Sequence, residues 1–113
     1  QSTFAEDDHR LFNREGAAFD RGETFSGLDF SVGLQAVEAM RALVPQGQSM
    51  AQMALRWMQM HPAVTCSIPG GKRADQVADN VAAADLPALS DALMQALAGI
   101  YAQYAKPLVH QRW

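Results

Sequence analysis

One short run, Val64-Thr65-Cys66-Ser67-Ile68, has the β-branched character of a strand, and it lies between Pro62 and Pro69 in a chain whose other periodic segments are helical. A lone strand cannot satisfy its own backbone N–H and C=O groups, and burying them unpaired costs on the order of a few kcal/mol per group. The run therefore needs neighbouring strands, a second copy of the chain, a pairing within the N-terminal region, or exposure as irregular backbone.

Around it the sequence predicts four helices. Leu34, Val37, Met40 and Val44 recur at three- and four-residue steps from Asp29 onward, with Gln35, Glu38 and Arg41 facing away, and Pro45 and Gly47 end that helix. Ser49 followed by Gln52 is a capping box opening a second helix to about Met60. Its stripe of Met50, Met53, Ala54, Trp57 and Met60, widened by Leu55 and Met58, predicts a largely buried element. A third helix is expected from Ala74 to Ala83, with Val77, Val81 and Ala84 on one side, broken by Asp85-Leu86-Pro87. Ser90 and Asp91 cap the last, lined by Leu93, Leu97, Ile100, Tyr101 and Tyr104 and ended by Pro107.

Residues 1–28 show no sustained period: charged side chains alternate irregularly with four phenylalanines, which reads as a long loop with at most a helical turn. The chain thus divides into a loop, 1–28, and a helix-helix-strand-helix-helix portion, 29–113. The expected class is mostly α with one short β-strand.

Composition narrows the function classes. At 113 residues there is room for one small domain with a modest core, and 49% hydrophobic with 19% charged residues suits a folded chain better than a disordered one. Nine scattered Lys and Arg against twelve Asp and Glu leave no basic stripe for nucleic acid. The apolar stretches are too short for a membrane span, and Gln1 begins no signal-peptide pattern. The single Cys66 cannot close an internal disulfide, so a cytoplasmic location is expected. The lack of an initiator Met suggests that sequence upstream of Gln1 was removed or never included.

The segment that points to chemistry is Ile68-Pro69-Gly70-Gly71-Lys72-Arg73, where strand passes into a helix bearing Gln76, Asp79 and Asn80. Glycines let backbone N–H groups approach an anion, the free amides of a helix start favour negative charge, and Lys72 adds a full positive charge. Gln76 and Asn80 are one turn apart with Asp79 beside them, within reach of an adenine edge. The same pattern also describes an ordinary turn with a solvated lysine.

Four stretches taken together, Met50-Ala51-Gln52-Met53-Ala54-Leu55-Arg56-Trp57, His61-Pro62-Ala63-Val64-Thr65, Ile68-Pro69-Gly70-Gly71-Lys72 and Gln76-Val77-Ala78-Asp79-Asn80, resemble the C-terminal cofactor segment of the aldo-keto reductases. The resemblance runs from the Thr3-Phe4 loop to the terminal Val109-His110-Gln111-Arg112-Trp113. It implies a (β/α)8 TIM-barrel parent whose segment after the last barrel strand holds the adenosine 2′-phosphate of NADPH, in keeping with the phosphate sites of such barrels. Carried over, Gly70 would offer backbone contacts, Lys72 would face the 2′-phosphate, Gln76 would sit near it, and Asp79 with Asn80 would meet the adenine. Gln76 stands where many members have arginine, which leaves NADP preference resting on Lys72 and Arg73.

The family reduces carbonyls with an Asp, Tyr, Lys and His set from earlier barrel strands, and no segment here matches those motifs. Tyr101, Tyr104, Lys106 and His110 offer three of the four types close together, but Tyr101 and Tyr104 continue an apolar stripe and are expected in the core. His9 and His61 stand apart from any metal-ligand spacing, Trp57 is expected to be buried, and Cys66 reads as a small buried hydrophobe. No catalytic residue and no metal is assigned. Helix faces without a barrel to pack on would be bare, so self-association as a two-fold dimer is expected unless the missing N-terminal barrel part covers them.

Overall fold

The computed structural model of the chain describes Glu6, Asp8, Leu11, Asn13 and residues 27–112. Its elements are α1 (Phe30–Arg41), α2 (Met50–Gln59), α3 (Ala74–Ala82) running into a 3-10 turn (Ala83–Asp85), α4 (Asp91–Ile100), a π-helical turn (Tyr101–Ala105), α5 (Lys106–Val109) and a closing 3-10 turn (His110–Arg112). The mostly helical expectation holds. Most of the loop expected over 1–28 lies outside the described residues.

The expected strand is absent among the described residues: Val64 to Ile68 run as irregular chain after a turn in which Val64 N–H donates to the His61 carbonyl at 2.9 Å. The physical reason is that noted for any solitary strand. With no neighbouring strand among the described residues to pair with, the run stays largely in water, and Ile68 is 95% exposed. Cys66 is exposed with it, which corrects the reading of that thiol as buried.

Two compact units make up the chain, residues 40–98 forming one and residues 1–39 with 99–113 the other. In the first, α2 packs on α3 and on the 3-10 turn that follows it. Local chemistry explains where α2 starts: Ser49 Oγ accepts from Gln52 N–H at 3.1 Å while Gln52 Oε1 accepts from Ser49 N–H at 3.0 Å, the reciprocal capping box that the sequence predicts. Met53 and Leu55 are buried on α2, together with Ala83 and Leu89. The helix is less enclosed than its apolar girth predicts. One neighbouring helix and a turn cover a single stripe, so Trp57 remains 38% exposed and packs edge-on against His61 at 4.6 Å instead of entering the core.

On α3 the apolar side is turned the opposite way from the inward facing usual for such a side. Val77 and Val81 are exposed and so is Ala84 just beyond, whereas Gln76 and Asn80 are half-buried in line with the buried Ala83, a spacing of four and then three residues. Periodicity identifies a helix's apolar side; it does not fix which side finds a partner. Here the polar side has hydrogen bonds to make inward, as described below.

α4 begins within residues 40–98, and residues 99–113 belong to the second unit. Ser90 Oγ accepts from Leu93 N–H at 3.3 Å and so caps α4, as the sequence predicts. Pro107 does not end the helical path. It occupies the first turn of α5, and the preceding turn widens so that Lys106 N–H bonds the Tyr101 carbonyl five residues back. Proline brings no N–H and would clash with the carbonyl four residues earlier, and a π-helical turn ahead of it relieves that conflict. Tyr101 is correspondingly not core: it is 40% exposed and shares a 2.9 Å hydrogen bond with His110 Nδ1. Val109 is the buried apolar residue of α5.

Candidate functional site

The sequence expectation centres on the loop before α3, and all six residues proposed for it lie within the unit formed by residues 40–98. The loop folds over the first turns of the helix through two side chains. Gln76 Oε1 accepts from the backbone N–H of Lys72 at 2.9 Å and of Arg73 at 3.2 Å, which satisfies amides that a helix start leaves without partners. Asn80, one turn later, donates from Nδ2 to the Gly70 carbonyl at 3.0 Å and ties down the other end of the loop.

Glycine has distinct meanings at the two loop positions. At Gly71 a Cβ would come to 3.0 Å from Val77 Cγ2, so the close approach of loop and helix requires the missing side chain. A Cβ at Gly70 would meet nothing within 4 Å, so that position is open on its outer side.

Charge is uneven along the loop. Arg73 is paired with Asp75: Nη2 to Oδ2 is 2.9 Å and Nε to Oδ1 is 3.0 Å. The hydrogen bonds from Arg73 hold the Asp75 carboxyl below the usual carboxylate range, and the same contact raises the guanidinium. Both groups are exposed, so the pair is a weak, exchangeable contact. Lys72 has no ion-pair partner among the described residues, leaving its ammonium open to an external anion.

Asp79 faces α2. Its Oδ1 accepts from Gln52 Nε2 at 2.7 Å, its backbone carbonyl accepts from the same amide at 3.3 Å, and Ser49 Oγ reaches Oδ2 at 3.5 Å. The residue expected to meet an adenine is thus engaged in docking α3 onto the capping box of α2. Gly70, Lys72, Arg73, Gln76 and Asn80 do come together around one helix start.

Sequence reasoning passed over Asp75 and the capping use of Gln76, although signals for both were present. An acid in the first turn two residues after an arginine invites pairing, and a glutamine three residues after the residue that precedes a helix is the spacing of a back-bonding cap.

The aldo/keto reductase family model matches residues 2–102. The chain belongs to the aldo/keto reductase family. Neither the curated proteins nor the solved structures compared with it gave a match. Membership implies a (β/α)8 parent, and the aldo/keto reductase match takes in the loop and α3 whole while stopping short of Lys106, Pro107 and His110.

Elsewhere the described residues contain no group of three or more His, Cys, Asp or Glu side chains able to hold a metal ion, and no helix long and apolar enough to cross a membrane. His9 lies outside the described residues. Tyr101 and His110 are in side-chain contact, but the Lys106 side chain joins no hydrogen bond or ion pair with theirs.

Proposed function

We propose that this chain is the NADP(H)-gripping C-terminal part of an aldo/keto reductase, binding the adenosine 2′-phosphate between the Gly70–Arg73 loop and α3, with no carbonyl-reducing turnover of its own. What carries the reading is Lys72: an ammonium without an ion-pair partner among the described residues, beside open backbone at Gly70, on a loop fastened from behind by Gln76 and Asn80. A dianionic phosphate requires fixed positive charge and close backbone approach, and these residues fit it.

The roles follow from the contacts. Lys72 supplies charge and Gly70 room for backbone contact, while Arg73 can add charge once released from Asp75. Gln76 and Asn80 shape the loop, and Asp79 acts through α2 by setting the position of the helix. In the complete protein the bound nicotinamide supplies hydride for carbonyl reduction, and the proton-donating set comes from earlier barrel strands. The lone Cys66 suits a reducing compartment, so cytoplasmic residence is part of the proposal.

Fluorescence titration of NADPH tests it. Binding should be detectable, weaken in Lys72→Ala, and fall as salt is raised. No binding at about 5 mM cofactor, well beyond the usual range for specific sites, would defeat the reading. NADPH oxidation coupled to aldehyde loss by the pure chain would defeat its second half.

A second reading, a self-associating helical module whose nucleotide site is idle, draws on the outward face of α3. Val77, 50% exposed, and Val81, 65% exposed, make an apolar surface close in sequence to the 64–68 run, which is unpaired among the described residues. Sedimentation at micromolar concentration separates them: a two-fold dimer that ignores NADPH supports the module, and a stable monomer removes it.

A further inference from the structure

Apart from the Lys72 ammonium, the donors a phosphate would use at this helix start are already occupied from within the chain. Gln76 Oε1 takes the two amides at Lys72 and Arg73, and the Asp75 carboxylate takes the Arg73 guanidinium through three contacts of 2.9 to 3.3 Å. Oxygen atoms of an amide and a carboxylate thus stand where phosphate oxygens would be expected, and an arriving phosphate competes with both. The two competitors differ in consequence. Gln76 is neutral and can yield its amides without penalty from its charge, whereas Asp75 still repels a dianion after its bond to Arg73 has opened.

We propose that Asp75 is a specificity-determining residue of this site, an internal stand-in for the 2′-phosphate that occupies Arg73 and lowers the preference for 2′-phosphorylated over unphosphorylated adenine nucleotides. The inference rests on the cofactor reading above. Its structural basis is that Arg73 is one of two loop cations, so half of the loop's positive charge is neutralised at short range by a residue two positions away. Asp75→Asn keeps the side chain's size and removes only the charge.

Calorimetric titration of the full chain with 2′,5′-ADP and, separately, 5′-AMP at low ionic strength reads the effect, because the two ligands differ only in the 2′-phosphate. Asp75→Asn should tighten 2′,5′-ADP roughly two- to fivefold, the range expected of exposed charge pairs, with 5′-AMP changed much less. The gain should fade in about 0.5 M salt, and Asp75→Glu should behave as the parent. If the parent binds 2′,5′-ADP and the Asn variant shows the same ratio of affinities, the inference fails while the cofactor reading stands. If neither binds at about 10 mM, both fail. The Arg73 Nε–H resonance guards against a variant that merely frays α3: in the parent it should shift when 2′,5′-ADP binds, and a resonance indifferent to bound ligand also overturns the proposal.

Discussion

Replacing Gln52 with alanine tests how α3 is held in place. The substitution removes the bond from Ser49 N–H to Gln52 Oε1 and both bonds from Gln52 Nε2 to Asp79, the shorter being 2.7 Å. A lost cap contributes about 0.5–1 kcal/mol, and a hydrogen bond to a carboxylate about 1.5–3 kcal/mol where water is excluded. These groups are exposed, so the lower end applies and the total comes to about 1–2 kcal/mol. For a unit the size of residues 40–98, about 1 kcal/mol moves the midpoint of thermal unfolding by roughly 4–8 °C. Circular dichroism at 222 nm should therefore show Gln52→Ala melting several degrees below the parent, with Gln59→Ala on the same helix as a control. Asp79→Ala should lower the midpoint too, and the double variant should lose less than the two losses combined, since the residues share one interaction. Additive losses, or an Asp79→Ala variant as stable as the parent, would refute the assignment of Asp79 to docking.

Other outcomes follow from single observations. Met53→Ala, at a site only 2% exposed, should cost about 2–4 kcal/mol and leave residues 40–98 largely unfolded at 37 °C in urea or thermal titrations. Gly71→Ala should weaken NADPH binding more than Gly70→Ala, because only the former meets Val77, at 3.0 Å. In acid, the Asp75 carboxyl followed by NMR should titrate below its ordinary range and return toward it in Arg73→Gln. Because its folded value is lowered, the pair's contribution is present above the unfolded carboxyl value near pH 4 and is lost as pH falls through the folded one. Cys66 should react with a thiol reagent in native buffer at nearly the rate of a free peptide thiol.

What the sequence made legible was local. The capping box at Ser49 and Gln52 needs only residues three apart, and Ser90 capping α4 is of the same kind. The grouping of Gly70, Lys72, Gln76 and Asn80 was legible too, since a loop and the first turns of a helix are bound to be neighbours. What was hidden involved partners distant in sequence. Nothing near Asp79 indicates that its carboxylate meets Gln52, twenty-seven positions earlier, and nothing in Val64–Ile68 says whether a strand will lie beside it. The side on which Val77 and Val81 lie was readable, but its direction was not. Pro107 misled for a different reason: a rule about regular helices does not anticipate a wider turn that absorbs the missing donor.

The reversed facing of α3 separates two demands on nine residues. Its inward flank fixes the geometry of the basic loop, and its outward flank meets water with methyl groups. Changing Val81 to a polar side chain alters wetting and stickiness, and changing Gln76 or Asn80 alters the loop; neither edit has to compensate for the other. A helix divided in this way lets surface wetting and the proposed anion recognition drift independently through mutation.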